Sequence, residues 1–217
     1  MLLSVAMSID GYIDDSSPDR LLLSNAEDFN RVDEVRAHCD AILIGANTIR
    51  RDNPRLLVNS EERRAERERR GLPPYPTKVT MTSSRLDSSF KFFNTGGDKL
   101  VYTTPTILDK VRDELDGLAT VVPAGDPVSL TTMLDDLGDR GIQRLMVEGG
   151  GTIHTQFLTH GLADEIHLAI APFFVGDPSA PRFVNPGTFP QDPAHRMQVA
   201  EVRQIGDIVF ARYLPKR

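Results

Sequence analysis

Three short stretches carry residue types that could do chemistry. In Gly45-Ala-Asn-Thr48-Ile-Arg-Arg-Asp52-Asn-Pro54, Thr48 and Asp52 stand four residues apart and share one face of any helical turn. A hydroxyl and a carboxylate so placed could read amide or ribose groups; equally, Asp52 or Asn53 could cap the chain locally before Pro54. In Glu148-Gly149-Gly150-Gly151-Thr152, the glycines permit close backbone approach, and a helix beginning there offers N–H groups and the positive end of its dipole to an anion. A plain strand-to-helix turn is the competing reading. In Ala6-Met-Ser-Ile-Asp10-Gly11, a strand end breaks into a turn that could line a crevice, although Asp-Gly is common in turns of any kind.

These stretches need elements to hold them. Leu2–Met7 reads as a buried strand. Ser24-Asn-Ala-Glu27 fits a capping box opening a helix to about His38, with Phe29, Val32 and Val35 facing inward. Asp40–Gly45 is a strand, Ala46–Arg51 a helical turn ended by Asn53-Pro54. Residues 61–70 mix four glutamates with five arginines and read as a solvated helix, with an anion-binding arm as the alternative. Strands follow at Lys78–Thr82, Leu100–Thr103, Thr120–Val122, Gln143–Val147 and Glu165–Ala171. Helices are expected at Thr106–Leu115, at Ser129–Asp139 and at Thr152–His160, the last ended by Gly161. Met197–Gln204 and Ile208–Leu214 form a closing hairpin around Gly206-Asp207. The pattern predicts an α/β fold: three layers, a mainly parallel central sheet with helices on both faces, and an antiparallel C-terminal hairpin. A single domain over residues 1–217 is expected.

Composition narrows the function classes. The 217 residues are 40% hydrophobic and carry a net charge of −6, which argues against nucleic-acid binding. Tryptophan is absent and aromatics are 6%, so no base-stacking platform is indicated. No apolar run approaches a membrane span, and the N-terminus reads as a first strand rather than a signal peptide, so a cytoplasmic protein is expected. The single cysteine, Cys39, excludes an intrachain disulfide and reads as a buried thiol. The five histidines are scattered, and no metal site is expected. Neither G-x-G-x-x-G, a P-loop, H-E-x-x-H nor G-x-S-x-G occurs, which removes the ordinary dinucleotide fold, the P-loop NTPases, the zincins and the α/β-hydrolases.

Taken in order, Ala6–Gly11, Arg36-Ala37 ahead of Asp40–Leu56, Glu148–Thr152 and Gly161–Pro172 make the chain similar to the pyrimidine reductases of the riboflavin pathway. The resemblance runs from about Leu2 to Tyr213. With no deaminase zinc motif ahead of it, the chain resembles the stand-alone form. The resemblance implies a dihydrofolate-reductase-like fold and NADPH-dependent reduction of the ribosyl side chain of a diaminopyrimidinone 5′-phosphate to a ribityl chain, with hydride added at C1′ of the sugar. It also implies a homodimer, for which the apolar Ile166–Phe174 region could supply a surface.

Carried over by position, Thr48, Asp52, Ser83 and the run Gly150, Gly151, Thr152, Ile153, His154, Thr155 and Gln156 resemble cofactor contacts. Arg36, Leu56 and Glu148 resemble substrate-side positions, where a carboxylate suits the N–H donors of an aminopyrimidine. Asp52 and Glu148 are the acidic groups inside the matched motifs. Asp52 is expected to position the nicotinamide and help relay a proton, Glu148 to anchor the substrate. Arg85 is the candidate cation for a 2′-phosphate. Asp19 and Asn59 stand where the bifunctional bacterial enzymes carry a serine and an arginine at substrate-contacting positions. That departure keeps two alternatives open: a related reductase with a pterin, a specialised-metabolism substrate or a deazaflavin donor, and a non-catalytic nucleotide-binding relative.

Overall fold

The structure, a computed structural model, describes residues 1–216. In chain order its elements are β1 (Leu2–Ser8), α1 (Ala26–Ala37), β2 (Ala41–Gly45), α2 (Ala46–Asp52), α3 (Glu61–Arg69), β3 (Thr77–Thr82), α4 (Lys91–Asn94), β4 (Lys99–Thr103), α5 (Leu108–Glu114), β5 (Thr120–Pro123), α6 (Leu130–Asp139), β6 (Leu145–Gly149), α7 (Gly151–Thr159), β7 (Glu165–Ala171), β8 (Gln198–Ile205) and β9 (Ile208–Leu214). The chain falls into two compact units, one of Met1–Val32 with the chain from Met146 onward, the other of Asp33–Leu145.

In the first unit the strand order is β6-β1-β7-β9-β8. β1 lies parallel to both β6 and β7, while β9 runs antiparallel to β7 and to β8. The expected closing hairpin is therefore present, turning at Gly206-Asp207. The buried apolar residues come from β1 (Leu2, Leu3), β6 (Met146, Val147), α7 (Ile153, Phe157) and β9 (Ile208, Phe210). In the second unit β5-β4-β3-β2 are all parallel. Ile42, Leu43 and Ile44 of β2, Val79 of β3 and Val101 of β4 are buried without exception, as strands covered on both faces require. Phe92 and Phe93 of α4, Val111 of α5 and Met133 of α6 are buried with them. The α/β class, the mainly parallel strands and the antiparallel C-terminal pair are those the sequence pattern implies. Among the described residues no helix is long and apolar enough to cross a membrane.

Several local expectations need correction. The N-cap of α1 is Asn25, not Ser24: Asn25 Oδ1 accepts from the Asp28 amide at 2.9 Å, and Ser24 Oγ donates instead to the Asp28 carboxylate at 2.6 Å. The inward face of α1 is ionic rather than apolar. Phe29 is exposed, whereas Asp28 and Arg31 are buried and paired at 2.7 Å. Arg31 also lies 4.4 Å from the centre of the Phe210 ring and within 3.3 Å of His167 Nδ1. A stacked and paired guanidinium tolerates burial that an apolar pattern does not foresee. The charged helix α3 is largely solvated, yet Arg67 is buried and donates to the carbonyls of Ala37, Cys39 and Pro73. It acts there as an internal staple. Strand β6 begins later than expected and carries Glu148 and Gly149 within it. The four-residue helix α4 has no counterpart in the sequence reading.

Candidate functional site

In the first unit the glycine run stands where β6 gives way to α7. Gly149 closes the strand with φ +108°, a conformation that L side chains rarely adopt, and the Gly149–Gly150 peptide is cis. Glu148, one residue earlier, is half-buried. Gly150 is the N-cap of α7 and has no side chain to offer the first-turn N–H groups. Gly151 is needed for a different reason: a Cβ there would lie 2.2 Å from the Arg182 carbonyl oxygen. The loop carrying Arg182 thus lies directly against the start of α7. That loop is fastened to the turn after β1. Asp10 accepts from the amides of Val175 and Gly176 at 3.1 and 2.8 Å, and Arg182 stacks 4.2 Å from the Tyr12 ring centre while donating to its hydroxyl. Burial works against the charge on Asp10, but the bonds from Ser8, Val175 and Gly176 outweigh it and hold the carboxyl below its ordinary range. The Asp10-Gly11 turn, weak as a sequence signal, therefore anchors the 173–183 loop.

The remaining residues of the run divide by face. Thr152 is exposed. Thr155 Oγ donates to the Gly151 carbonyl at 2.7 Å and accepts from the Asn185 amide at 2.8 Å, a second tie to the same loop. Ile153 and His154 are buried, so a role for them in cofactor binding narrows to their backbone. His154 is fully buried with no hydrogen-bond partner on either ring nitrogen among the described residues, and Gln156 Oε1 is in the same condition. Desolvation pushes the His154 imidazole down to about 3 and keeps it neutral. Asp19 is exposed, in a turn where its carbonyl accepts from Ser17 Oγ.

In the second unit the predicted residues form two groups. Thr48 and Asp52 are both half-buried on α2. Arg50, on the same helix, donates to Ser84 Oγ at 2.6 Å and to the Arg85 carbonyl at 3.0 Å. This latch fixes the Thr82–Arg85 turn, with exposed Ser83 and Arg85, against the helix that carries Thr48 and Asp52. The Arg85 guanidinium itself pairs with Glu114. The second group gathers where α1 meets the segment after α2. Arg36 donates to the Leu57 carbonyl at 3.1 Å. Leu56 is buried with φ +48°. Asn59 Nδ2 donates to Asp33 at 3.2 Å, and Asp33 also receives the Ser60 amide and the Arg63 guanidinium. Burial alone would raise the Asp33 pKa; the bonds from Asn59, Arg63 and Ser60 prevail and lower it.

The residues that sequence reasoning missed are supports: Asp33 and a wholly buried lysine, Lys78, on β3. The visible signal for Lys78 was its position inside a strand whose other residues are uncharged.

With this geometry in hand, comparison with known proteins gives consistent matches. The chain is 33% identical over 98% of its length to the 2,5-diamino-6-ribosylamino-4(3H)-pyrimidinone 5′-phosphate reductase of Archaeoglobus fulgidus, covering 97% of that protein. It is 32% identical over its whole length to the protein of the same name from Methanothermobacter thermautotrophicus, covering 98% of it. Among solved structures, a pyrimidine reductase-like protein from Corynebacterium diphtheriae superposes with a TM-score of 0.81 at 23% identity, over 100% of this chain and 91% of that one; at that identity the likeness speaks for the fold. The model of the RibD C-terminal domain matches residues 1–210. The chain belongs to the RibD C-terminal domain family.

Proposed function

We propose that this protein is an NADPH-dependent reductase that converts the ribosyl side chain of a diaminopyrimidinone ribosylamino 5′-phosphate to the ribityl form, in a riboflavin-type pathway. The observation that carries the reading is the end-to-end match to two reductases named for that substrate. The fit of a dinucleotide is supported at α7: a nine-residue helix begins at Gly150-Gly151, and its N–H groups suit a diphosphate. Bound NADPH supplies the hydride.

The chain's own residues then have distinct tasks. Gly150, Gly151 and Thr152 hold the phosphates by backbone and hydroxyl. Thr48, Asp52 and Ser83 orient the nucleotide, and Asp52 passes a proton to the reduced group. Glu148 accepts the amino N–H bonds of the pyrimidine, and Arg36 and Leu56 line its sugar-phosphate side. Asn59, tied to Asp33, brings no charge to the phosphate, so that charge falls to Arg50, Arg51 or Arg55, all exposed, or to a partner. Holding donor and acceptor in register is most of the catalytic work, since little covalent chemistry falls to the protein. The Asp19 and Asn59 departures favour, as a second reading, a sister reductase whose substrate lacks this phosphate contact.

Part of the same proposal is a homodimer through the apolar face of β7, β9 and β8. Val202 pairs with Ala211, two residues from Val209, so Val202 and Val209 share a face, and both are exposed. Ile170 and Leu168 of the expected region pair with Val209 and Ala211 and extend that face.

The test is loss of NADPH absorbance with the pyrimidine 5′-phosphate, with dihydrofolate as control, in wild type and Asp52→Asn. Turnover with the pyrimidine and a kcat lowered about a hundredfold or more in the variant are expected for a proton relay. A variant altered only in its KM for NADPH removes the relay.

A further inference from the structure

Lys78 lies in the interior of β3 with none of its surface exposed. Its Nζ donates to Thr95 Oγ at 2.6 Å, to the Phe92 carbonyl at 3.1 Å and to the Thr95 carbonyl at 3.2 Å. Those oxygens belong to the second residue of α4 and to Thr95, the residue just beyond its C-terminal end, where a cation is favourable. The other end of α4 is held as well: the Lys91 amide donates to Asn53 Oδ1 at 2.6 Å. Thr95 Oγ in turn has the Lys91 carbonyl at 2.6 Å and the Arg55 carbonyl at 3.2 Å within reach of its one hydrogen. A four-residue helix is too short to persist alone. Here it is a strut between Lys78 and the segment Asn53–Leu56.

That segment is under backbone strain. Asn53 has φ +45° and Leu56 φ +48°. Asparagine tolerates the left-handed region, but leucine rarely enters it. Such a conformation persists only when its surroundings over-determine it, and it concentrates where ligands are gripped. The next carbonyl, of Leu57, is the one that receives Arg36.

We propose that Lys78 is a positioning residue for the pyrimidine phosphate: through α4 it holds Asn53–Leu57 in the strained form that presents Leu56 and Arg36 to the substrate. The proposal rests on the assignment of Leu56 and Arg36 to the substrate side. An apolar side chain of equal length would fill the space but could not reach three oxygens with donors, which explains a buried cation in an otherwise uncharged strand. Burial pushes the ammonium down to about 7, and either protonation state retains N–H donors for the strut.

Three variants test it: Lys78→Met, Thr95→Val and Asn53→Gly, the last keeping the left-handed backbone while removing Oδ1. Each is expected to raise the KM for the pyrimidine 5′-phosphate about tenfold, the equivalent of one lost hydrogen bond, with the KM for NADPH unchanged. Amide exchange over residues 53–60 is read in parallel and is expected to quicken there but not in α6. Thr95→Val and Asn53→Gly carry the test if Lys78→Met does not fold. Unchanged exchange over 53–60 overturns the strut whatever the substrate proves to be. Quickened exchange with both KM values rising together overturns the positioning role. Wild type that binds NADPH but does not turn over the pyrimidine contradicts the underlying assignment instead, and the exchange data still decide the strut.

Discussion

His154 packs its imidazole against Gly149: a Cβ on that glycine would come within 2.8 Å of the ring's Nε2. The Phe183 ring stands edge-on to the same imidazole at 5.3 Å between centroids. The glycine turn proposed to receive the cofactor is therefore backed by a buried, neutral histidine. Gly149→Ala meets both the positive φ and the ring, and is expected to cost roughly 1–3 kcal/mol in urea unfolding. Adding His154→Ala removes the contact but not the φ cost, so recovery in the double variant is expected to be partial.

Acid should unfold the protein through one buried group, His154, and one half-buried group, Glu165. The His154 pKa falls from 6.5 to about 3 on folding. Between those values the unfolded chain carries a proton there that the native chain does not. Stability is thus complete above pH 6.5 and declines as the pH drops toward 3, by about 1.4 kcal/mol per unit while both limits hold. Glu165 is lowered from 4.5 to about 2, chiefly by His167 and also by Arg212. Its contribution is present above pH 4.5 and lost as the pH falls through 2. Urea midpoints measured from pH 7 down to pH 4 should fall in wild type and flatten in His154→Phe.

Arg85 pairs with Glu114 across an exposed surface, where such a pair is worth little and can yield to a stronger anion. Arg85→Ala is expected to lower the kcat/KM preference for NADPH over NADH about tenfold or more, because a charge-assisted bond to the 2′-phosphate is lost. An unchanged ratio assigns the 2′-phosphate to another residue.

The exposed valines of the C-terminal strands should govern assembly. Val202→Glu combined with Val209→Glu places charges on a face expected to be desolvated between copies. Light scattering after gel filtration should report a dimer for wild type and a monomer for the variant. A variant that remains dimeric moves the interface elsewhere.

Much of the architecture was legible because several parallel strands carry apolar runs, as in Ala41-Ile-Leu-Ile-Gly45, and because Gly and Asn punctuate the helices. What escaped was polar burial. The inward face of α1 holds Asp28 and Arg31, and a search for apolar periodicity turned Phe29 to the wrong side. At the candidate site, Thr48, Asp52 and the Gly149–Thr152 run are singled out by type and spacing, whereas Arg36, Leu56, Ser83 and the substrate-side role of Glu148 come only from the family resemblance. Their supports were not legible: Arg50 reaches the turn after β3, thirty-four residues on at Ser84, and Lys78 reaches α4. Such contacts follow from the fold and leave no local pattern in the chain.

The most direct test follows the hydride itself. With NADPH deuterated at the transferring C4 position and the diaminopyrimidinone ribosylamino 5′-phosphate as acceptor, one deuterium is expected at C1′ of a ribityl product. A product without deuterium, or transfer to dihydrofolate in place of the pyrimidine, would contradict the proposed function.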